Sequence, residues 1–469
     1  MERKVDVAII GAGSAGLTAT STIRRYTDNF VLIDGGEPGT TCARVGCMPS
    51  KVAIQVAEDL HRRTVFEREG IDGGDALSAD IPAALEHVRD LRDVFVDQVL
   101  SGSIDEMGDE FIEANVRFLE PTLLEAGDAL IRANKVIIAT GSTPVVPPAW
   151  EAFGDRIVTT DTFFELEDLP QSMAVIGLGV IGLELGQSLQ RLGVKVTGID
   201  QLTTIGGLRD PEVNKQAIEI IGKEFPLWLG HAAEISEAPD GRLRVTAGEN
   251  SVVVDKVLAS IGRRPNLAGL GLEEIGVRMN ARGVPNFDPH TMQIGDTPLF
   301  IAGDVAGERP ILHEANLEAR MAGYNATHDT PVRFKRKVPF SITFCDPNIV
   351  AVGAALDELD PNDIEIGAMK FGPLGRALIM AKNKGLLHLY ARKSDGRLLG
   401  AAMIAPKGEH LGHLLAWCIQ QNLTVADLLR MPFYHPTIEE GVQGALYELR
   451  RKLGIESETP LELEVLQSI

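Results

Sequence analysis

The 469-residue sequence has no apolar run that approaches the roughly 20 residues needed to cross a bilayer. Its first apolar stretch, Val7 to Ile10, soon meets three glycines, and no cleavage site of small residues follows it. That stretch is therefore typical of a strand and not of a signal peptide. We expect a protein without a membrane partner, and the lack of a secretion or transit signal favours the cytoplasm.

Cysteine and positive charge are also in short supply. Four cysteines are too few for a disulfide framework, so in a reducing cytoplasm any functional disulfide is expected to be catalytic. A formal net charge of -21 gives the surface a field that repels phosphate polymers, and nucleic acid is not an expected partner. The one basic run, from Arg333 to Lys337, is expected to be a solvated linker. No metal site is predicted.

Two glycine-rich turns each follow a short apolar segment. Both have the GxGxxG spacing of a dinucleotide-binding turn, and both lead to a second apolar segment that ends in an acid. Because 48 residues are glycine, one such match would be weak evidence, but two with the same context predict two duplicated dinucleotide-binding units. The residues are Gly11, Gly13, Gly16 and Asp34 in the first unit and Gly177, Gly179, Gly182 and Asp200 in the second.

The chemistry of these turns follows from what glycine lacks. Without side chains the backbone can approach a pyrophosphate, while the next helix presents free amides and its positive dipole end. Asp34 and Asp200 are expected to accept hydrogen bonds from ribose hydroxyls. A carboxylate at Asp200 would repel a 2′-phosphate, and no arginine lies between Gln201 and Ile205 to attract one. The second unit is therefore expected to prefer NADH over NADPH.

The character of the chain changes after about residue 336. Alternating segments from Leu387 to Ala391 and from Leu398 to Ala402 flank Asp395-Gly396, which predicts a β-hairpin. Helical patterns follow, from His410 to Gln420 and from Ile438 to Leu453. These patterns indicate a third domain of the α+β type.

Two cysteines follow Asp34 closely in the sequence. Cys42 and Cys47 are five positions apart, on different faces of an ideal helix, so bonding between them needs a distorted turn that Gly46 can supply. Pro49 suits the first turn of a helix that runs to about Arg63, and the start of that helix would stabilise a thiolate at Cys47. We expect a redox-active pair here, whereas Cys345 and Cys418 have no partner at a useful spacing and are expected to pack.

With these motifs the sequence resembles the class I pyridine nucleotide-disulfide oxidoreductases, and most closely their dihydrolipoamide dehydrogenase branch. The resemblance covers essentially the whole chain, and the motifs stand in the family's order. They are the two glycine turns, Cys42 to Lys51, Ala139-Thr140-Gly141-Ser142, Phe300-Ile301-Ala302-Gly303-Asp304, and His435-Pro436-Thr437-Ile438-Glu439-Glu440.

The resemblance implies a fold, cofactors and residue roles. It implies an α/β fold with two Rossmann-like domains, for FAD (1–145 and 270–335) and NAD (146–269), and a C-terminal α+β dimerisation domain (336–469) that makes a homodimer. FAD would be bound by Gly11, Gly13, Gly16, Asp34, Lys51, Thr140, Gly141, Ser142, Asp304 and His313. NAD would be bound by Gly177, Gly179, Gly182, Glu184, Asp200 and Gly262.

The implied catalytic groups are two pairs. Cys47 would form the charge-transfer thiolate against the flavin, and Cys42 would exchange with the substrate disulfide. His435 and Glu440 would form the acid-base pair. Lys51 and Glu184 would meet beside the flavin and nicotinamide rings.

Some positions depart from the dehydrogenase pattern and leave the disulfide substrate open. Thr40 replaces a glycine, Ala43 and Arg44 replace a Leu-Asn pair, and Tyr434 precedes His435. The substrate could be a lipoyl domain or a small-molecule disulfide, and a redox-sensing flavoprotein without rapid turnover is an alternative. Three other members of the family fit less well. A mercuric reductase is expected to have a cysteine pair near the C-terminus, and a glutathione reductase to have arginines that bind NADPH, and this chain has neither. A soluble transhydrogenase lacks the first active-site cysteine, which is present here as Cys42.

Overall fold

The computed structural model describes residues 2–456, Pro460 and Leu463. The remaining end of the predicted C-terminal domain lies outside the described residues, and so does most of the final segment that argues against a mercuric reductase. No helix in the described part of the chain has the length and apolarity of a membrane span.

The chain begins with a parallel sheet flanked by helices. In its centre β1 pairs with β2 on one side and β6 on the other, so that Val7 lies opposite Phe30 and Lys135. The strand order is β3-β2-β1-β6-β5-β4, and the strands β4 and β5 at one edge are antiparallel to their neighbours. The elements are β1 (Glu2–Ile10), α1 (Ser14–Ile23), β2 (Phe30–Asp34), α2 (Thr41–Arg44), α3 (Cys47–His61), α4 (Ile81–Ser101), β3 (Phe111–Glu113), β4 (Val116–Glu120), β5 (Leu123–Ala126), β6 (Ala129–Ile138) and β7 (Ser142–Pro144).

A second parallel sheet repeats the same design. Its order is β11-β10-β9-β15-β8, and a separate antiparallel sheet, β12-β13-β14, lies beside it. Asp210 begins α8 by accepting hydrogen bonds from the backbone of Glu212 and Val213, with Pro211 as the first helical residue. The elements are α5 (Pro148–Glu151), β8 (Ile157–Val158), α6 (Thr160–Phe163), β9 (Ser172–Ile176), α7 (Val180–Arg191), β10 (Lys195–Asp200), α8 (Pro211–Ile221), β11 (Leu227–Leu229), β12 (Glu234–Glu237), β13 (Leu243–Ala247), β14 (Asn250–Val254), β15 (Lys256–Ala259) and β16 (Arg263–Pro265).

The chain then returns to the first sheet. The strand β17 (Leu299–Ile301) pairs in parallel with the end of β6, where Ile301 lies opposite Ile138. The helix α9 (Leu312–Ala326) packs against α1. The first unit is therefore discontinuous in sequence, with the second unit inserted between β7 and β17.

The third unit is an antiparallel sheet in the order β18-β19-β22-β21-β20, with helices packed on it. The predicted hairpin is confirmed, because β21 and β22 pair across Asp395-Gly396. Together with the family comparison given below, the three units confirm the predicted fold class. The elements are β18 (Phe340–Thr343), β19 (Asn348–Gly353), β20 (Ile364–Lys370), α10 (Gly375–Ile379), β21 (Leu386–Arg392), β22 (Leu398–Ala405), α11 (Gly408–Gln420), α12 (Val425–Leu429) and α13 (Glu440–Leu453).

The second and third units share a buried polar contact. Asp210 accepts hydrogen bonds from the Tyr390 hydroxyl (2.7 Å) and from Nδ1 of His388 (2.8 Å). All three residues are almost fully buried. These bonds satisfy the carboxylate, and with the two backbone bonds they hold the pKa of Asp210 below its usual value despite its burial.

The basic run before β18 is only partly solvated. Arg333, Lys335 and Lys337 are exposed, as predicted, but the Arg336 side chain is 11% exposed and the prediction is wrong for it. Its guanidinium lies 2.7 Å from the carboxylates of both Glu314 and Glu318 in α9. Two buried acids on one helix need a cation, and Arg336 supplies it.

Candidate active site

The two glycine turns are built alike, and each contains one glycine that the protein itself does not need. In the first turn, a Cβ on Gly11 would lie 2.4 Å from the Ala139 carbonyl oxygen, and one on Gly16 would lie 1.7 Å from the Gly11 oxygen. Internal packing therefore requires both. A Cβ on Gly13 would meet nothing within 4 Å, so the space above it is free for a ligand's close approach.

The second turn repeats this division. A Cβ on Gly177 or Gly182 would lie 2.3 or 1.8 Å from a backbone oxygen, whereas one on Gly179 would meet nothing within 4 Å. Gly13 and Gly179 precede α1 and α7, and neither helix start carries a side-chain cap. Free amides next to an open backbone fit a pyrophosphate, so both turns suit a dinucleotide.

The two predicted ribose acids lie at the mouths of these turns. Asp34 accepts hydrogen bonds from the backbone amides of Ala12 (2.5 Å) and Gly36 (2.7 Å). Asp200 accepts from the amides of Leu178 (2.6 Å) and Leu202 (2.8 Å). Each carboxylate oxygen keeps lone-pair capacity for a hydroxyl, and the backbone bonds hold the carboxylates in place.

Cys42 lies in α2, and Cys47 is the first residue of α3. Between them a Cβ on Gly46 would lie 2.8 Å from the Thr41 carbonyl oxygen, so the turn that the sequence predicts here needs a glycine. Thr40, a departure from the family pattern, caps α2 through a hydrogen bond from the amide of Ala43 (3.1 Å).

The two thiols are free, and they form a hydrogen bond in which Cys42 donates to Cys47. This bond lowers the pKa of Cys47 to about 7, and the positive charge of Lys51 acts in the same direction. The same bond, together with burial, raises the pKa of the Cys42 thiol. As the pH rises through neutrality, the reduced pair therefore loses its first proton from Cys47, while Cys42 keeps its own.

Lys51 and Glu184 bring three units together. The Lys51 ammonium lies 2.7 Å from Oε2 of Glu184, whose side chain is buried, and 4.5 Å from the centre of the Phe344 ring. Oε1 of Glu184 accepts a hydrogen bond from the Phe344 amide (2.9 Å). Helix α3 of the first unit, α7 of the second and the loop after β18 of the third thus meet at Lys51, about one helical turn from Cys47.

The other residues predicted to bind FAD converge near the end of β6. The Ser142 hydroxyl donates to Asp304 (2.8 Å), and Gly141 has a positive φ with open space around it. Asp304 follows β17, and His313 lies in the first turn of α9, where it is exposed at the surface. Gly262, which was predicted to bind NAD, follows β15 and has a positive φ, with nothing within 4 Å of a Cβ.

Three residues around this group were not predicted from the sequence. Arg263 donates to Ser142, Asn266 exchanges hydrogen bonds with Thr140, and Glu318 accepts from the Gly303 amide (2.9 Å). Gly262 comes shortly after strand β15, as Gly141 comes shortly after β6. Arg263 is the next residue after Gly262, and Asn266 lies four positions after Gly262. That position was the signal that could have identified them.

His435 and Glu440 lie together but apart from the cysteines. Nδ1 of His435 lies 2.9 Å from Oε1 of Glu440, and the Thr437 amide donates to Oε2 (2.9 Å). The hydrogen bond with His435 lowers the pKa of Glu440. The His435 side chain is 81% exposed, and no hydrogen bond or ion pair within the described part of the chain joins it to Cys42 or Cys47.

The two unusual residues near the predicted substrate entrance differ in their surroundings. The Arg44 guanidinium forms an ion pair with Glu37, and its side-chain carbons lie over Gly39. Tyr434 is 81% exposed, beside His435. No group of three or more metal-ligating side chains that could hold an ion is found among residues 2–456, Pro460 and Leu463.

The two kinds of glycine predict two kinds of defect. Gly16→Ala should destabilise the protein by at least about 3 kcal/mol, because its Cβ would collide with backbone. Gly13→Ala should unfold like the wild type as apoprotein but hold little flavin, and the matched Gly179→Ala should keep flavin and bind NADH more weakly. Thermal unfolding, flavin absorbance and calorimetry with NADH measure these effects. Normal flavin content in Gly13→Ala would show that the first turn does not contact the cofactor.

The chain matches known proteins over nearly its whole length. Residues 5–322 match the pyridine nucleotide-disulphide oxidoreductase family, and residues 339–446 match the dimerisation domain of that family. Among curated relatives, dihydrolipoyl dehydrogenase 3 of Haloarcula marismortui is 27% identical, with 95% of this chain and 97% of that protein covered. Dihydrolipoyl dehydrogenase of Chlamydia pneumoniae is 29% identical, with the same coverage.

Solved structures show the same fold. The HOCl-induced flavoprotein disulfide reductase RclA of Escherichia coli, in its Cu(II) complex, aligns with a TM-score of 0.82 at 21% identity, covering 95% of this chain and 99% of that one. LpdA of Mycobacterium tuberculosis also aligns with a TM-score of 0.82, at 23% identity, covering 96% and 100%. With its paired glycine turns, its cysteine pair and these matches, the chain belongs to the pyridine nucleotide-disulphide oxidoreductase family, whose members use FAD and NAD(H).

Proposed function

We propose that this flavoprotein disulfide oxidoreductase is a dihydrolipoamide dehydrogenase-like enzyme, which passes electron pairs between NAD(H) and a dithiol or disulfide through Cys42 and Cys47. The observation that carries the proposal is the placement of two free cysteines on either side of the turn between α2 and α3, close to the Lys51–Glu184 ion pair. The opposite pKa shifts of the two thiols support it. Such a pair can reduce the disulfide of a lipoyl group or of another small molecule, and it can oxidise the corresponding dithiol.

The division of labour between the cysteines follows from the position of their shared proton. In the oxidised enzyme, a substrate thiolate attacks Sγ of Cys42, the Cys42–Cys47 disulfide breaks, and Cys47 leaves as a thiolate. A leaving thiol with a pKa of about 7 is favoured in this step. The second substrate thiolate then closes the substrate disulfide and releases Cys42, which takes a proton because its own pKa is raised.

His435 and Glu440 are proposed to handle that proton. Glu440 holds Nδ1 of His435 as the hydrogen-bond donor, which leaves Nε2 free to accept a proton from a substrate thiol and to return one to Cys42. The exposure of His435 supports a site that is completed by a second copy of the chain, and the dimerisation domain belongs to the same part of the sequence.

The remaining residues are proposed to hold the cofactors. FAD, when bound, supplies a two-electron carrier between the nicotinamide and the cysteine pair. Lys51, held by Glu184, keeps a positive charge within the flavin-binding unit, where it stabilises added negative charge. The domain boundaries 1–145 with 270–335, 146–269 and 336–469 remain a proposal, which the division of the strands among separate sheets supports. A cytoplasmic location remains a prediction.

A panel of disulfides tests the proposal. Lipoamide, glutathione disulfide and other low-molecular-weight disulfides are assayed with NADH and with NADPH, and dihydrolipoamide with NAD. We expect sustained turnover with lipoamide and a kcat/KM for NADH at least tenfold above that for NADPH, which corresponds to about 1.4 kcal/mol. Asp200→Asn, a matched variant without the charge, should narrow that ratio. A single reduction without turnover would favour a redox sensor, and a higher kcat/KM for NADPH would contradict the assigned role of Asp200.

A further inference from the structure

The chain passes between the two nucleotide-binding units through two short strands. The chain leaves the first unit through β7 and returns from the second through β16, and the two strands pair antiparallel. The pairing extends at both ends, because the Val145 amide donates to Gly262 (3.0 Å) and the Asn266 amide donates to Gly141 (3.0 Å). An isolated two-stranded ribbon is weak by itself, so at this end of the interface the angle between the units needs a constraint besides the packing of α3 on α7 and the Lys51–Glu184 ion pair.

Arg263, the first residue of β16, has contacts on both sides of this ribbon. Nε donates to the Ser142 hydroxyl (2.8 Å), and Nη2 donates to the Ser142 carbonyl (2.7 Å). On the other side, Nη1 donates to the Thr160 hydroxyl at the start of α6 (3.3 Å) and lies 3.9 Å from the Asp161 carboxylate. The Arg263 side chain is 17% exposed, so these contacts are largely shielded from water.

The contacts on the first side lead into the flavin-binding unit. The Ser142 hydroxyl that accepts from Arg263 donates its own hydrogen to Asp304 (2.8 Å). The planar guanidinium therefore links Asp304 of the first unit, through Ser142, to Thr160 of the second. A lysine has no such fork and cannot make these three bonds in the same geometry.

We propose that Arg263 is a positioning residue, which holds the NAD-binding unit at a fixed orientation to the FAD-binding unit and thereby controls electron transfer from NADH to the flavin. The inference rests on the reaction of the family and on contacts of this chain. Transfer between two bound rings depends steeply on their alignment, and a misplacement of about 1 Å costs roughly a hundredfold in rate. Exchange between the cysteines and a dithiol involves the first unit and the proposed acid-base pair of the third, so it does not depend on the orientation of the NAD-binding unit.

The test separates the two half-reactions in Arg263→Met and Arg263→Lys. Stopped-flow absorbance measures reduction of the enzyme by NADH and, separately, by a dithiol substrate. We expect the NADH rate constant to fall roughly ten- to a hundredfold in Arg263→Met and the dithiol rate constant to stay within about twofold. Arg263→Lys should restore only a small part of the loss. Arg264→Met is the matched control, because Arg264 lies next in the same strand, is exposed, and should leave both rates unchanged.

A second readout does not depend on activity. Hydrogen exchange in the absence of nucleotide should become faster in β7, β16 and α6 of Arg263→Met, while flavin content stays at the wild-type level. If Arg263→Met folds poorly, Thr160→Val removes only the contact on the NAD side and should give a smaller loss of the same kind. Equal losses in both half-reactions, or loss of flavin, would overturn the proposal in favour of a cofactor-retaining role. Unchanged exchange with an unchanged NADH rate would overturn it outright.

Discussion

Cys42→Ser is expected to have a long-wavelength absorbance band in the air-oxidised protein, with no reductant added. Without its partner, Cys47 cannot enter the intramolecular disulfide and remains a thiol with a lowered pKa, beside the flavin in the proposed arrangement. A thiolate next to oxidised flavin gives such a band. The serine hydroxyl still donates a hydrogen bond to Cys47, so the band should fade as the pH falls through about 7, where the thiolate takes a proton.

The matched variants separate this explanation from a general disturbance of the site. Cys47→Ser should show no band at any pH, and Cys418→Ser should behave as the wild type, which needs one equivalent of NADH to show the band. Cys42→Ala lacks the hydrogen bond that most lowers the pKa of Cys47, so its midpoint should move upward from about 7. If Cys42→Ser and the wild type had the same spectrum, the assigned roles of the two cysteines would be reversed or absent.

A mixed dimer of Cys47→Ser and His435→Ala chains is expected to recover roughly half of the wild-type activity, although each parent is nearly inactive. The reason is that a two-fold dimer with shared sites collects both defects in one site and leaves the other whole. His435 is exposed, and among the described residues it forms no hydrogen bond or ion pair with the cysteines of its own chain, which supports this arrangement. Co-expression with two different tags and sequential purification isolate the mixed species.

The reference for a dimer with one intact site is a dimer of wild-type and His435→Ala chains, prepared with the same tags. It should also have about half of the wild-type activity, because one site keeps its histidine. If each chain supplied its own histidine, the Cys47→Ser/His435→Ala dimer would have one defect in each site. Activity near that of the two parent dimers would then contradict the shared-site proposal.

The parts of the structure that the sequence predicts well are local. The glycine turns, their acids and the Cys42–Gly46–Cys47 turn depend on backbone conformation and on residues close in sequence, so spacing alone carries the information. The predicted hairpin across Asp395-Gly396 is of the same kind. The contact of Lys51 with Glu184 joins distant helices, and only the family resemblance suggested it.

The contacts that were missed lie between units. Arg263 with Ser142, and Asp210 with His388 and Tyr390, bring together side chains whose own segments give no sign of a partner. Arg336 was predicted to be solvated because it lies in a short basic run. Arg336 is buried because it pairs with Glu314 and Glu318, and nothing in the sequence distinguishes these two acids from exposed polar residues of a helix.

The discontinuity of the first unit has a consequence for folding on the ribosome. The inserted unit, from β8 to β15, is continuous in sequence and can close its sheet as soon as it has emerged. The unit that begins the chain must wait for β17 and α9, because β6 pairs with β17 and α1 packs on α9. The nascent chain thus completes its second sheet before its first. Until residues up to Ala326 have emerged, one edge of β6 and the inner face of α1 stay uncovered, which gives a chaperone a defined interval in which to protect them.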